Sequence, residues 1–125
     1  MNAANLAKTA YAAPDQPTRT LRGTEYEVFA RITHRLKAAQ ALGDAGFVSL
    51  AHAIHDNRRL WTILAADVAD PGNQLPAPLR AQIFYLAQFT NLHSTKVLAS
   101  TATAEVLIDI NTSIMKGLRQ SGGAS

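Results

Sequence analysis

Three of the four histidines in this 125-residue chain are the side chains best placed to hold a metal. His52 and His55, with the carboxylate of Asp56, fall within little more than one helical turn, and His93 can approach from another helix. Imidazole and carboxylate are zinc ligands. No H-E-x-x-H sequence accompanies them, and His52 and His55 adjoin a helix face that also needs solvation. Plain surface or half-buried histidine is the better reading, and no metal is expected. There is no cysteine, so thiolate ligands, a thiol nucleophile and a disulfide framework are excluded. Acid–base catalysis needs converging carboxylates, but the nine acidic residues are scattered. Asp67 and Asp109 read as helix-face residues and Asp70 as part of a turn. G-x-S-x-G, P-loop and G-x-G-x-x-G motifs are all missing. The expectation is a protein without cofactor that is not an enzyme.

The polar residues that stand out do so for another reason. Phe47, Ile54, Trp61 and Val68 recur seven apart, with Leu50/Ala51 and Leu64/Ala65 at the half-steps, the stripe of an amphipathic helix. Between Ile54 and Trp61 the half-step is polar, Asn57 and Arg58, inside the run Asn57-Arg58-Arg59-Leu60-Trp61. Asn111 interrupts a second apolar face beside Ile110 and Ile114. A buried, unpaired amide costs roughly 1–3 kcal/mol, so each asparagine should find a partner inside the fold. The reading is an internal brace between the third helix and the last, in which Asp109 or Asn111 orients Asn57 or Arg58. Trp61 reads as core, and its N–H needs an acceptor that Asp67, too far along the helix, does not provide.

The elements that carry these residues are helices. The 3.6-residue period appears five times, at about 3–12, 20–42, 45–69, 78–100 and 103–118. Thr18 or Thr20, or Thr24 with Glu27 at capping-box spacing, are candidate starts of the second helix. Tyr26, Phe29, Ile32, Leu36 and Ala39 form its apolar face; Gly43 ends it and Asp44 is placed to cap the next. Asp70-Pro71-Gly72-Asn73 is a turn, and Leu75 after it should tuck against the core. Ser100 to Thr103 breaks the chain again. No alternating strand pattern or repeat is present. The expected fold is all-α: one small bundle of about five helices in a single domain, residues 1–125, with 119–125 a disordered tail.

Composition narrows the function classes. A hydrophobic fraction of 47% suits one globular core. Met1 to Ala13 lacks the basic and apolar regions of a signal peptide, and no apolar run approaches the ~20 residues that span a bilayer. A soluble, cytoplasmic protein away from the membrane is expected. The formal charge of +3 is mild. Arg19, Arg22, Arg31, Arg35 and Lys37 bias the second helix, but without the dense patch and stacking aromatics of a nucleic-acid interface, so direct nucleic-acid binding is not expected.

Several blocks together resemble a known family. They are Asn57-Arg58-Arg59-Leu60-Trp61, Asp67, Asn73-Gln74-Leu75-Pro76, Leu79-Arg80, Leu107-Ile108-Asp109-Ile110-Asn111 and Ser113-Ile114-Met115-Lys116-Gly117-Leu118, with Tyr11 and Glu25 ahead of them. In these the chain is similar to FlaF, the small flagellar biosynthesis regulator of α-proteobacteria. The resemblance runs over most of the sequence and is weakest at Ala38 to Ser49 and in the glycine-rich tail. It implies a cytoplasmic, non-enzymatic helper of bacterial flagellum biogenesis. Such a protein acts with flagellin as a secretion chaperone or assembly factor, and regulates flagellin synthesis together with the regulator FlbT. It implies no catalytic residue.

A flagellin chaperone needs spare apolar surface on which to take an amphipathic helix. The candidates are Phe84, Tyr85, Phe89 and Leu92 on the over-apolar fourth helix, and Ile108 and Met115 on the second face of the last. The alternative function is an RNA-binding post-transcriptional regulator that uses the basic second helix on a flagellin messenger.

Overall fold

The computed structural model describes the backbone of residues 17–124 and the side chains of residues 26–117. Among them are four α-helices and one 3-10 turn: α1 (Pro17–Ala41), the turn Gly43–Gly46, α2 (Phe47–Ala69), α3 (Ala77–Leu98) and α4 (Glu105–Ala124). The all-α class is as the periodicity predicts. The count of five is corrected to four among the described residues, and the expected first helix, 3–12, lies outside them.

Helix ends account for the other differences. Proline at the first position of a helix loses no hydrogen bond and brings a helical φ, so α1 begins at Pro17. Thr18, Thr20 and Thr24 consequently lie inside the helix and are not its cap. At its far end Gly43 takes φ 62°, the left-handed conformation that closes a helix. Asp44 does not cap α2. Gly46 holds that position without a side-chain cap, and is buried beneath the end of α1. A Cβ on Gly46 would collide with the Ala39 carbonyl oxygen and sit 2.9 Å from the Leu42 Cβ. The backbone of 119–124, expected to be disordered, continues α4 to Ala124. Gly117, Gly122 and Gly123 weaken a helix by about 1 kcal/mol each but, unlike proline, do not remove a backbone donor.

The α2–α3 connection is knitted by its own side chains. Asp70 Oδ1 accepts from the Gly72 N–H at 3.0 Å, and Asn73 Oδ1 accepts from the Leu75 N–H at 3.0 Å. The Arg80 Nε–H closes on the Leu75 carbonyl at 2.9 Å, with Leu75 half-buried against the core. The α3–α4 connection is a Schellman closure. Thr101 N–H bonds to the Lys96 carbonyl at 2.9 Å and Ser100 N–H to Val97 at 3.0 Å. Ser100 takes φ 63°, where glycine is usual. Gln40 of α1 then accepts from the Ala104 N–H at 2.6 Å, fastening the start of α4.

α1 packs along both α2 and α4, and α2 packs along α3, whereas α3 and α4 touch each other little. The core is Phe29, Ile32 and Leu36 of α1, Ile54, Trp61 and Leu64 of α2, Ile83 and Val97 of α3, and Leu107 and Ile108 of α4. Phe29 meets Trp61 edge to face, ring centres 5.6 Å apart at 79°. Phe47, placed by its spacing at the head of the buried stripe, is 42% exposed. It is the first residue of α2.

Candidate functional site

Two arrangements could serve function, one polar and buried, one apolar and exposed. In the first, the Trp61 Nε1–H donates to Asn111 Oδ1 at 2.9 Å, and Asn111 Nδ2 donates to Asn57 Oδ1 at 2.8 Å. An indole can only donate, so Asn111 must turn its oxygen to Trp61 and its amide to Asn57. All three side chains are essentially inaccessible. The chain of bonds ties α2 to α4 across the bundle. Among the described residues, buried Asn57 Nδ2 has no hydrogen-bond partner, nor have Thr90 Oγ1 and Ser94 Oγ on α3.

The other residues of the expected brace go elsewhere. Leu60 is core. Arg58 reaches α3, not α4: its Nη2 donates to the Asn91 carbonyl at 2.8 Å and to Thr95 Oγ1 at 2.6 Å. Asp109 is exposed on α4 and joins neither asparagine. The brace is thus Asn57, Trp61 and Asn111.

The exposed arrangement runs along α3. Phe84, Tyr85 and Leu92 are 42%, 64% and 68% exposed, and half-buried Phe89 stacks on His93 at 5.6 Å. Beside Phe84 a groove between α2 and α3 encloses about 200 Å³, its floor made by Trp61, Ala65 and Ala87 and its rim by Arg58 and Gln88. The last helix does not offer the surface expected of it. Ile108 is buried at 8% exposure, because the side of α4 it shares with Ala104 and Asn111 is turned into the bundle. Met115 is half-buried and packs against the core.

A second apolar patch lies away from the surfaces that the sequence predicts. Leu42 and Val48, 61% and 68% exposed, flank Phe47 at the other end of the bundle. Beside them a hollow of about 550 Å³ lies between the Gly43–Gly46 turn and the Ser100–Ala104 connection. The pair Phe47-Val48 directly after a glycine was the available signal, but its period assigned Phe47 to the core.

The metal candidates do not converge. His52 and His55 are exposed, Asp56 pairs with Arg35 of α1 at 2.8 Å, and His93 Nε2 lies 3.1 Å from the Thr103 carbonyl. Among the described residues no three His, Asp or Glu side chains are grouped to hold a metal ion. Nor, among them, is any helix long and apolar enough to cross a membrane.

The brace and the α3 face both fall inside a stretch that matches known sequences. The family model described as flagellar protein FlaF matches residues 7–118. The chain belongs to the FlaF family of flagellar proteins. The FlaF match takes in α1, α2 and α3 whole and α4 as far as residue 118. It also includes ten residues ahead of Pro17, from 7 to 16, so the FlaF pattern extends beyond the four-helix body described here. Neither the curated proteins nor the solved structures contain a significant match.

Proposed function

We propose that this FlaF-family chain is a flagellin-binding assembly factor, a non-enzymatic secretion chaperone that also regulates flagellin synthesis. The observation that carries the reading is family membership over residues 7–118. The exposed Phe84, Tyr85 and Leu92 on a single helix support it, since large apolar side chains grouped on one face suit capture of an amphipathic helix. Flagellin is the proposed partner, held in the cytoplasm before export. The regulatory role is proposed to run through FlbT.

The RNA-binding alternative draws less support. Arg35, one of the five cations it would use, is engaged with Asp56. The test is co-purification of the full chain with flagellin, followed by hydrogen exchange. Protection along Phe84–Leu92 is expected. Absence of a flagellin complex at micromolar concentrations would overturn the proposal. Steep log-linear loss of a messenger complex with salt would favour the RNA reading instead.

A further inference from the structure

The groove between α2 and α3 has a definite charge. At 3.6 residues per turn, His55, Arg59, Thr62 and Ala66 follow one another along α2 just outside Arg58 and Ala65, and all four are exposed. The facing wall on α3 is Phe84, Gln88, Asn91 and Thr95, also exposed. α3 contains no Asp or Glu anywhere along its length. The two carboxylates of α2 are placed elsewhere: Asp56 pairs with Arg35 of α1, and Asp67 sits 3.5 Å from Asn73 Nδ2 at the closing turn. Arg58 is pinned at the groove by Asn91 and Thr95, while Arg59 has no hydrogen-bond or ion-pair partner among the described residues. Among the described residues no carboxylate pairs with Arg58 or Arg59 at this mouth.

The floor is suited to close approach. Ala65 and Ala87 present only methyl groups on either side of Trp61, and Phe84 stands at the edge. We propose that the groove receives one amphipathic helix from a partner protein. Its apolar stripe would lie on Phe84 and the alanines, and carboxylates flanking the stripe would meet Arg59 and Arg58. The proposal rests on the protein-binding reading above and adds the chemistry by which the partner is chosen. The chain's own start is a poor occupant by the same criterion, because Met1 to Tyr11 carries Lys8 and no carboxylate.

The test uses the full chain and two tryptophan-free peptides of about twenty residues, long enough to be helical, sharing one leucine stripe. One is flanked by glutamates and the other by lysines. Trp61, the only tryptophan, reports occupation of the groove. The glutamate peptide should bind roughly fivefold to tenfold more tightly at about 0.05 M salt and shift the Trp61 emission, the preference shrinking at about 0.5 M. Arg59→Glu, on an exposed position, should abolish or invert that preference with the helical signal unchanged. Equal affinity for the two peptides, or a preference indifferent to Arg59→Glu, overturns the proposal. So does a concentration-dependent dimer that buries Phe84, which would assign the face to a second copy. Flagellin separates the two readings. Binding that ignores Arg59→Glu and Phe84→Asp removes this groove and keeps the chaperone; a glutamate-peptide site without flagellin binding does the reverse.

Discussion

Asn57 and Asn111, 54 residues apart in sequence, share a 2.8 Å hydrogen bond in the centre of the bundle, with Asn111 also accepting from Trp61. The pair performs a service that apolar packing does not. α4 packs along α1, and among the described residues the side-chain hydrogen bonds that join α2 to α4 are these two. Hydrophobic contact tolerates sliding, whereas a buried donor and acceptor must meet at one register.

Removing Asn111 leaves two buried groups without partners. Asn111→Leu is expected to destabilise the chain by about 2–4 kcal/mol, from roughly 1–3 for each orphaned group less some apolar gain. Asn57→Ala should cost less, since it strands only one Asn111 donor. The double variant Asn57→Ala/Asn111→Leu should lose less than the sum of the two singles, a coupling that a double-mutant cycle measures. Urea unfolding followed through Trp61 emission reads all of these. Strict additivity would show that the two asparagines do not act together.

How much of this was legible in the sequence depended on what each residue answers to. The all-α class follows from period alone, and the start of α2 falls within two residues of the place that Gly43 and Asp44 mark in the sequence, although Asp44 does not cap it. That Asn57 needs an internal partner follows from its position in the Ile54–Trp61 stripe, and Asn111 was one of two candidates. The choice against Asp109 required knowing the rotation of α4. The faces of α3 and α4 look equally apolar in sequence, yet Phe84 is exposed and Ile108 buried, because only the packing partner decides which side is covered. The role of Gly46 was invisible for the same reason, since Ala39 and Leu42 crowd it only after the chain reverses.

That contrast between α3 and α4 can be measured directly. Phe84→Asp and Tyr85→Asp are expected to change stability by no more than about 1 kcal/mol, as surface substitutions do, while weakening the proposed capture of flagellin. Ile108→Asp should unfold the chain, because it places an unpaired charge in the core. Circular dichroism alongside binding assays distinguishes the two classes. A Phe84→Asp chain that unfolds as Ile108→Asp does would return the α3 face to the core.

The left-handed residue at the α3–α4 turn offers a stabilising change. Ser100 sits at φ 63°, a conformation that costs a residue with a Cβ about 1 kcal/mol or more relative to glycine. Ser100→Gly keeps both backbone bonds of the Schellman closure and relieves that strain. Glycine's greater freedom in the unfolded chain offsets part of the gain. A net increase of about 0.5–1 kcal/mol in unfolding free energy is expected, and a loss of stability would show that the serine side chain contributes at that corner.

The neighbouring corner, across the hollow from Ser100, should respond with the opposite sign. Gly46 is buried where α1 turns into α2, and its added Cβ would meet the Ala39 carbonyl oxygen, a backbone atom that cannot swing aside. Gly46→Ala therefore forces the 3-10 turn away from α1, at about 1–3 kcal/mol for overpacking a filled site. At Gly43, φ is positive but the space beside it is open, so Gly43→Ala carries only the conformational penalty, about 1–2 kcal/mol. Gly43→Asn should recover much of that, because asparagine tolerates the left-handed region, whereas Gly46→Asn should be worse than Gly46→Ala. Thermal unfolding of the four variants decides between a steric and a conformational requirement at each glycine. Rescue of position 46 by asparagine would contradict the steric assignment.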